Sequence, residues 1–165
     1  MKRSTDRILT THAGSMIRPP EVLALGPETD EATRTATLRA AVADVVRKQA
    51  ELGVDVISDG EFGKSSWFTY VMERLDGYEV RPVPKPQIGF LGRDELRYPD
   101  FFQTSGMGGL GTQRDVCVRP IRYIGKPVMQ RDVSNFRDAL QGVSVQGAFL
   151  PVVSPTWTTK FRWRR

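Results

Sequence analysis

The sequence predicts an α/β fold built on parallel strands, and three observations carry that reading. An apolar segment, Ile8-Leu-Thr-Thr-His-Ala-Gly-Ser-Met-Ile-Arg-Pro-Pro20, runs from strand-forming residues into polar side chains, a glycine and a double proline, as a strand does when it opens into a loop. An amphipathic helix follows over residues 30–53. Straight after it comes Val54-Asp-Val-Ile-Ser-Asp-Gly-Glu61, a β-branched run closed by Asp-Gly. Strand, helix and strand in that order, with a crossover long enough to bring the chain back, describe a parallel βαβ unit.

In the helix, Leu38, Ala41, Val42, Val45, Gln49 and Leu52 keep the i, i+3, i+4, i+7 rhythm of one face, while Arg39, Asp44, Arg47 and Lys48 mostly fall off it. Thr29 or Asp30 is placed to cap its start, and Gly53 to end it in the left-handed conformation. A second helix is predicted over residues 64–76, where Phe68, Val71, Met72 and Leu75 recur at helical spacing before Gly77. The composition then changes, with three prolines in Arg81-Pro-Val-Pro-Lys-Pro86 and a glycine cluster at residues 106–111. A stretch that long without patterning reads as an irregular excursion at about 80–111 carrying a minor hairpin. Regularity returns with a strand-like alternation over Val116–Ile124 and a helix over Val128–Leu140, with Val128, Met129, Val133, Phe136 and Leu140 on one face. An apolar strand over Val143–Val153 completes the order β-α-β-α-(excursion)-β-α-β, with about four parallel strands.

The 165-residue length holds one core of ordinary size, and 39% apolar with 26% charged residues is the balance of a soluble globular protein. No run of about 18 apolar residues exists to span a bilayer. Met1–Arg7 leads into Ile8 without the apolar segment of a secretory signal, so the expected location is the cytoplasm. Cys117 is the single cysteine, which precludes an internal disulfide and fits a reducing compartment; inside a predicted strand it is expected to be an inert, buried thiol. His12 is likewise the single histidine, and no Cys/His cluster has the spacing of a structural zinc site. The net charge of +5 invites a nucleic-acid reading, but Lys160, Arg162, Arg164 and Arg165 leave only 20 basic and 19 acidic side chains in residues 1–157. The body therefore gives nucleic-acid binding little support. Residues 158–165 are set apart as a basic tail outside the fold of residues 1–157.

In parallel α/β folds, ligand-binding side chains collect at the carboxyl ends of strands. Two clusters lie there: Thr10, Thr11, His12, Gly14, Ser15 and Arg18 after the first strand, and Ser58, Asp59 and Glu61 after the second. Glycine admits a ligand close to the backbone, Ser15 and Arg18 offer donors to a carboxylate, and Asp59 and Glu61 complement an ammonium. Together they suit a zwitterionic amino acid. Each residue also has a plainer reading: His12 as a capping or core-edge histidine, Ser15 as a turn cap, Asp59-Gly60 as a turn, and Glu61 as a solvated acid. The glycine cluster at 106–111 lacks the lysine and hydroxyl residue of a phosphate-binding loop, and no nucleotide site is assigned to it.

Leu9-Thr-Thr-His-Ala-Gly-Ser-Met-Ile-Arg-Pro19, Gly53-Val-Asp-Val-Ile-Ser-Asp-Gly-Glu61 and Ala148-Phe-Leu-Pro-Val-Val-Ser-Pro155 together resemble the cobalamin-independent methionine synthase family. More narrowly, they look like its shorter, single-barrel members, similar to the enzyme's carboxyl-terminal catalytic domain, within the uroporphyrinogen decarboxylase-like superfamily. The likeness runs over residues 8–155. It implies a partial (β/α)8 TIM barrel, with this chain supplying about the first four βα units. It also implies zinc holding homocysteine as a thiolate, and methyl transfer to that sulfur from methyltetrahydrofolate. By motif match, Gly14 and Ser15 belong to the amino-acid-binding turn, with Ser15 touching the carboxylate, and Glu61 receives the amino group. His12 is typical of the shorter members, its role open.

The family's zinc ligands, a histidine, two cysteines and often a glutamate, come from the second half of the barrel and have no counterpart set here. A barrel takes ~250 residues, so the chain is expected to be an amino-terminal piece without the metal centre, its open strand edges able to pair with another chain. The resemblance thus implies a methyltransferase of the methionine synthase type, with the activity of the isolated chain open. A zinc-dependent alkyl transferase acting on another thiol and a non-catalytic half-barrel assembly module stand as alternatives.

Overall fold

Two helical pieces follow the first polar segment: the short α1 (Pro20–Leu23), which opens on a proline, and the long α2 (Glu31–Glu51). The computed structural model describes residues 3–67, 69–82, 93–104 and 113–154, which fall into two compact units. The first unit comprises Met1–Arg74 with Ile124–Ser154, and the second Leu75–Tyr123 with Pro155–Arg165.

In the first unit Asp30 caps α2 by accepting a hydrogen bond from the Thr33 amide at 2.9 Å. The helix buries Leu38, Ala41, Val42, Val45, Val46 and Gln49. Leu52, expected on that stripe, is exposed because it is the C-cap, where the chain already turns into Gly53 at φ 77°. Strand β1 (Val56–Ser58) follows and lays Ile57 against the helix. Ile57 and Val46 are fully buried, each contributing about 1.5–3 kcal/mol of transfer free energy.

The first apolar segment does not form a full strand. It touches β1 through one parallel bridge, Thr11 to Val56, with the Val56 amide donating to the Thr10 carbonyl at 3.0 Å. Its hold on β1 comes largely from side chains: Asp55 accepts from the Thr10 amide at 2.8 Å, from the Thr10 hydroxyl at 3.0 Å and from Arg7 Nη1 at 2.7 Å. The Arg7 guanidinium and the Thr10 donors hold the Asp55 carboxyl well below the usual carboxylate range.

On the other edge of β1 lies β4 (Gly147–Phe149), parallel, with Val56, Ile57 and Ser58 opposite Gly147, Ala148 and Phe149. The expected strand over Val143–Val153 thus shrinks to three residues, flanked by the prolines and small residues that weaken a ladder. The crossover into β4 is helix α5 (Lys126–Ala139), whose Phe136 joins the core with α2 and Ile57. Asn135 is buried beside it, and Val133, expected on the inner face, is exposed.

The predicted helix over 64–76 is a 3₁₀ segment, Thr69–Arg74, and Leu75 already begins a strand; Phe68 lies outside the described residues. In the second unit β2 (Leu75–Pro82) pairs antiparallel with β3 (Gln113–Tyr123), from Leu75 opposite Tyr123 to Pro82 opposite Gln113. The alternation over Val116–Ile124 is therefore a strand, but a hairpin arm rather than one of the parallel strands. A two-stranded ribbon leaves faces open, so Cys117 is exposed, correcting its expected burial. Between the arms stand two short helices, α3 (Arg93–Arg97) and α4 (Pro99–Thr104), where irregular chain was expected. The glycine cluster and the basic tail lie outside the described residues. Among the described residues, no helix is long and apolar enough to cross a membrane.

Candidate functional site

The loop leaving β1 is pinned from beneath by α2. Gln49 Nε2 donates to the Ser58 carbonyl at 2.8 Å, and Gln49 Oε1 accepts from the Ser58 amide at 3.1 Å, so a helix side chain completes the strand end. Beyond it the chain turns sharply. The Gly60 amide donates to Ser58 Oγ at 3.3 Å and the Glu61 amide to Asp59 Oδ1 at 3.1 Å. Gly60 and Glu61 then take left-handed conformations, at φ 68° and φ 61°. For glutamate that costs about 1–2 kcal/mol, and such strain held in place by its surroundings is characteristic of functional loops.

The turn tips the Glu61 side chain inward, to 4% exposure, instead of out to solvent. There it meets the first polar segment. Ser15 Oγ donates to Glu61 Oε2 at 2.6 Å, the Met16 amide donates to the Gly60 carbonyl at 3.1 Å, and Gly14 makes the bend at φ 99°. Arg18 Nη2 donates to the Lys64 carbonyl at 2.8 Å and to the Glu61 carbonyl at 3.3 Å, tying the two loops along their backbones.

Of the residues singled out from the sequence, Ser15, Glu61, Arg18 and Gly14 come together. Asp59 is beneath them, buried, with Oδ1 engaged in the turn; burial pushes its carboxyl above the usual range, against the pull of the Glu61 amide and Lys64. Thr11 Oγ1 donates to the Val56 carbonyl at 2.7 Å, a structural role. His12 is exposed.

Two residues of the site were missed. Lys64 is buried, with Nζ 3.7 Å from Glu61 Oε1, donating to the Pro151 carbonyl beyond β4, and 5.2 Å from the centre of the Tyr70 ring. Tyr70 is buried too, with the Arg74 guanidinium 4.8 Å from its ring centre and its hydroxyl accepting from the Val153 amide at 3.0 Å. Arg74 in turn pairs with Asp132 of α5 at 2.8 Å. The signal for Lys64 was its place three residues after Glu61, a spacing that brings opposite charges together in a turn.

Zinc does not fit this site. His12 and Cys117 are the chain's single histidine and cysteine, and among the described residues no three His, Cys, Asp or Glu side chains gather in a cluster able to hold a metal ion. The loops can instead offer a hydroxyl donor beside a buried carboxylate.

A mixed α/β chain with its polar loops gathered at one strand exit is the class these features define, and known proteins place it further. Residues 18–83 match the family model described as the catalytic domain of cobalamin-independent synthase, the family that the motifs resemble. The curated protein YxjH of Bacillus subtilis (strain 168), described as uncharacterized, is 38% identical in an alignment over 74 residues that covers 41% of this chain and 19% of that protein. The fold is similar to that of a B12-independent methionine synthase from Shewanella sp. W3-18-1, solved in complex with selenomethionine, with a TM-score of 0.59 and 15% identity. That match covers 93% of this chain and 40% of the Shewanella chain, so the protein spans well under half the length of the synthase it resembles.

Proposed function

We propose that this chain supplies the amino-acid-holding part of a methyltransferase of the cobalamin-independent methionine synthase type, and that its ligand is homocysteine or a similar thiol amino acid. The observation that carries this is the 2.6 Å contact between Ser15 Oγ and the buried, left-handed Glu61, contributed by loops 46 residues apart. An α-amino acid bears its ammonium and carboxylate on one carbon, so a pocket for it needs an acceptor and a donor side by side. Glu61 would take the ammonium, and the Ser15 hydroxyl, turned away from Glu61 as the ammonium replaces it there, would join the backbone amides around Gly14 in donating to the carboxylate. Arg18 and Asp59 would shape the two loops rather than touch the ligand.

The finer points rest on the family. The methyl donor would be 5-methyltetrahydrofolate, the parallel strands would be the opening units of a TIM barrel over residues 1–157 with residues 158–165 outside it, and a zinc centre would have to come from chain beyond these residues. An exposed, free Cys117 suits a reducing cytoplasm. Isothermal titration with L-homocysteine tests the proposal: the wild-type chain should bind, and Ser15→Ala should weaken binding about tenfold, the worth of one charge-assisted hydrogen bond. Equal affinity of the two proteins would remove Ser15 from the site.

One observation favours a second reading, an assembly module. Among the described residues β4 has a strand partner on one edge, β1, and Ala148 in its middle is exposed. Such an edge is a template for another strand, from a second copy or a separate half-barrel. Sedimentation velocity at rising concentration would show a dimer under this reading and a monomer otherwise.

A further inference from the structure

The buried lysine beneath the amino-acid loops is unusual in its company. Lys64 is 7% exposed, and a lone ammonium at that depth carries a desolvation penalty that only well-placed partners offset. Its partners come from three stretches of chain: the Pro151 carbonyl after β4, the Tyr70 ring of the 3₁₀ segment, and the Glu61 carboxylate of the β1 loop. The lysine backbone is engaged as well, its amide donating to the Glu61 carbonyl at 3.2 Å and its carbonyl accepting from Arg18 at 2.8 Å. Tyr70 is itself fixed by Arg74 on its ring and by Val153 at its hydroxyl. Lys64 is therefore a cation tied to the exits of both β1 and β4.

The distance to Glu61 decides what this cation does. Glu61 Oε2 holds the Ser15 hydroxyl, while Oε1 faces Lys64 Nζ at 3.7 Å, too far for a hydrogen bond and near enough for strong attraction in a water-poor site. Because one N–H of the ammonium is donated to the Pro151 carbonyl, the lysine steadies the carboxylate without filling its second oxygen. We propose that Lys64 is the positioning residue of the amino-group pocket: anchored beyond β4, it orients Glu61 so that Oε1 stays available to a primary ammonium. This rests on the amino-acid reading above.

The test compares L-homocysteine with mercaptobutanoate, the same thiol acid without the amino group, by calorimetry on wild type and Lys64→Met. The substitution should weaken homocysteine binding about tenfold or more and leave mercaptobutanoate within about twofold, since only the former uses Glu61. Lys64→Arg, which keeps the charge, should recover part of the loss. A purely structural lysine would lower both affinities together, and that result would overturn the proposal. Should Lys64→Met fail to fold, the wild-type chain still decides: the nitrogen NMR signal of the Lys64 ammonium should move on titration with homocysteine and stay in place with mercaptobutanoate, and equal movement or none would overturn it. A wild-type chain that binds neither thiol defeats the amino-acid reading itself and this inference with it; one that binds homocysteine with Lys64→Met unchanged defeats only the role of Lys64.

Discussion

The loop after β1 and the β2–β3 hairpin leave their units in opposite ways. In seven residues the loop buries Ser58, Asp59, Glu61 and Lys64 with Phe62, each polar group met by a partner. The hairpin is held by its backbone ladder: along it Val80, Ile121 and Tyr123 are exposed, and its close packing lies around Gly77 and Val116. Buried polar groups are costly unless satisfied, so this short loop depends on each of those partners being in place. The ribbon asks mainly that its strands stay paired.

The largest expected difference follows at Arg74. Its guanidinium pairs with Asp132 at 2.8 Å, both side chains largely buried, and packs on Tyr70. Arg74→Ala leaves Asp132 without that partner and should cost about 3–5 kcal/mol in denaturant unfolding; a loss below 1 kcal/mol would show that Arg131, 3.1 Å from the same carboxylate, satisfies it alone. Next comes the hairpin's own weak point. Gly77 sits at φ 105°, where an added Cβ would fall 2.9 Å from the Arg119 and Pro120 carbonyls. Gly77→Ala should destabilise the chain by about 1–3 kcal/mol.

Two aspartates then separate by sign. Asp55 titrates low because Arg7 and Thr10 bind its charged form, so its contribution is present above about pH 4 and is lost as pH falls through the folded value. Burial raises Asp59, so it favours folding below about pH 4 and that contribution is lost as pH rises through its folded value. In melts from acid to neutral pH, Asp55→Asn should fall progressively behind wild type. Asp59→Asn, whose amide oxygen can still accept from Glu61, should gain on it. Parallel profiles for the two variants would contradict the contrast. The smallest effect belongs to the ribbon surface: Val80→Thr, at a 62% exposed residue, should change stability by no more than about 0.5 kcal/mol.

Much of the first unit was legible because its signals are local. The α2 stripe, the Asp30 cap, Gly53 and the β-branched run at Val56–Ser58 each follow from spacing or side-chain type. The Ser15–Glu61 encounter followed from two polar strand exits in a parallel unit. What failed was pairing. Val116–Ile124 reads as a strand on any account, but its partner lies in Leu75–Pro82, where Gly77 and alternating charges hide the pattern and helical spacing upstream suggested a helix. The first apolar segment looked like a full strand, yet only Thr11 bridges, because Asp55 draws in Thr10 and Arg7 through side chains. Lys64 escaped notice because its partners, Tyr70 and Pro151, are brought to it only by the fold.

Ser15 and Glu61 touch each other across two loops, and the proposal made above is that they bind one ligand together. Amide NMR of the chain titrated with L-homocysteine tests it most directly. Saturable shifts should centre on Gly14, Ser15, Met16, Gly60 and Glu61, and Glu61→Gln should abolish them while the α2 resonances stay unchanged. Shifts centred elsewhere, or the same response from Glu61→Gln, would contradict it.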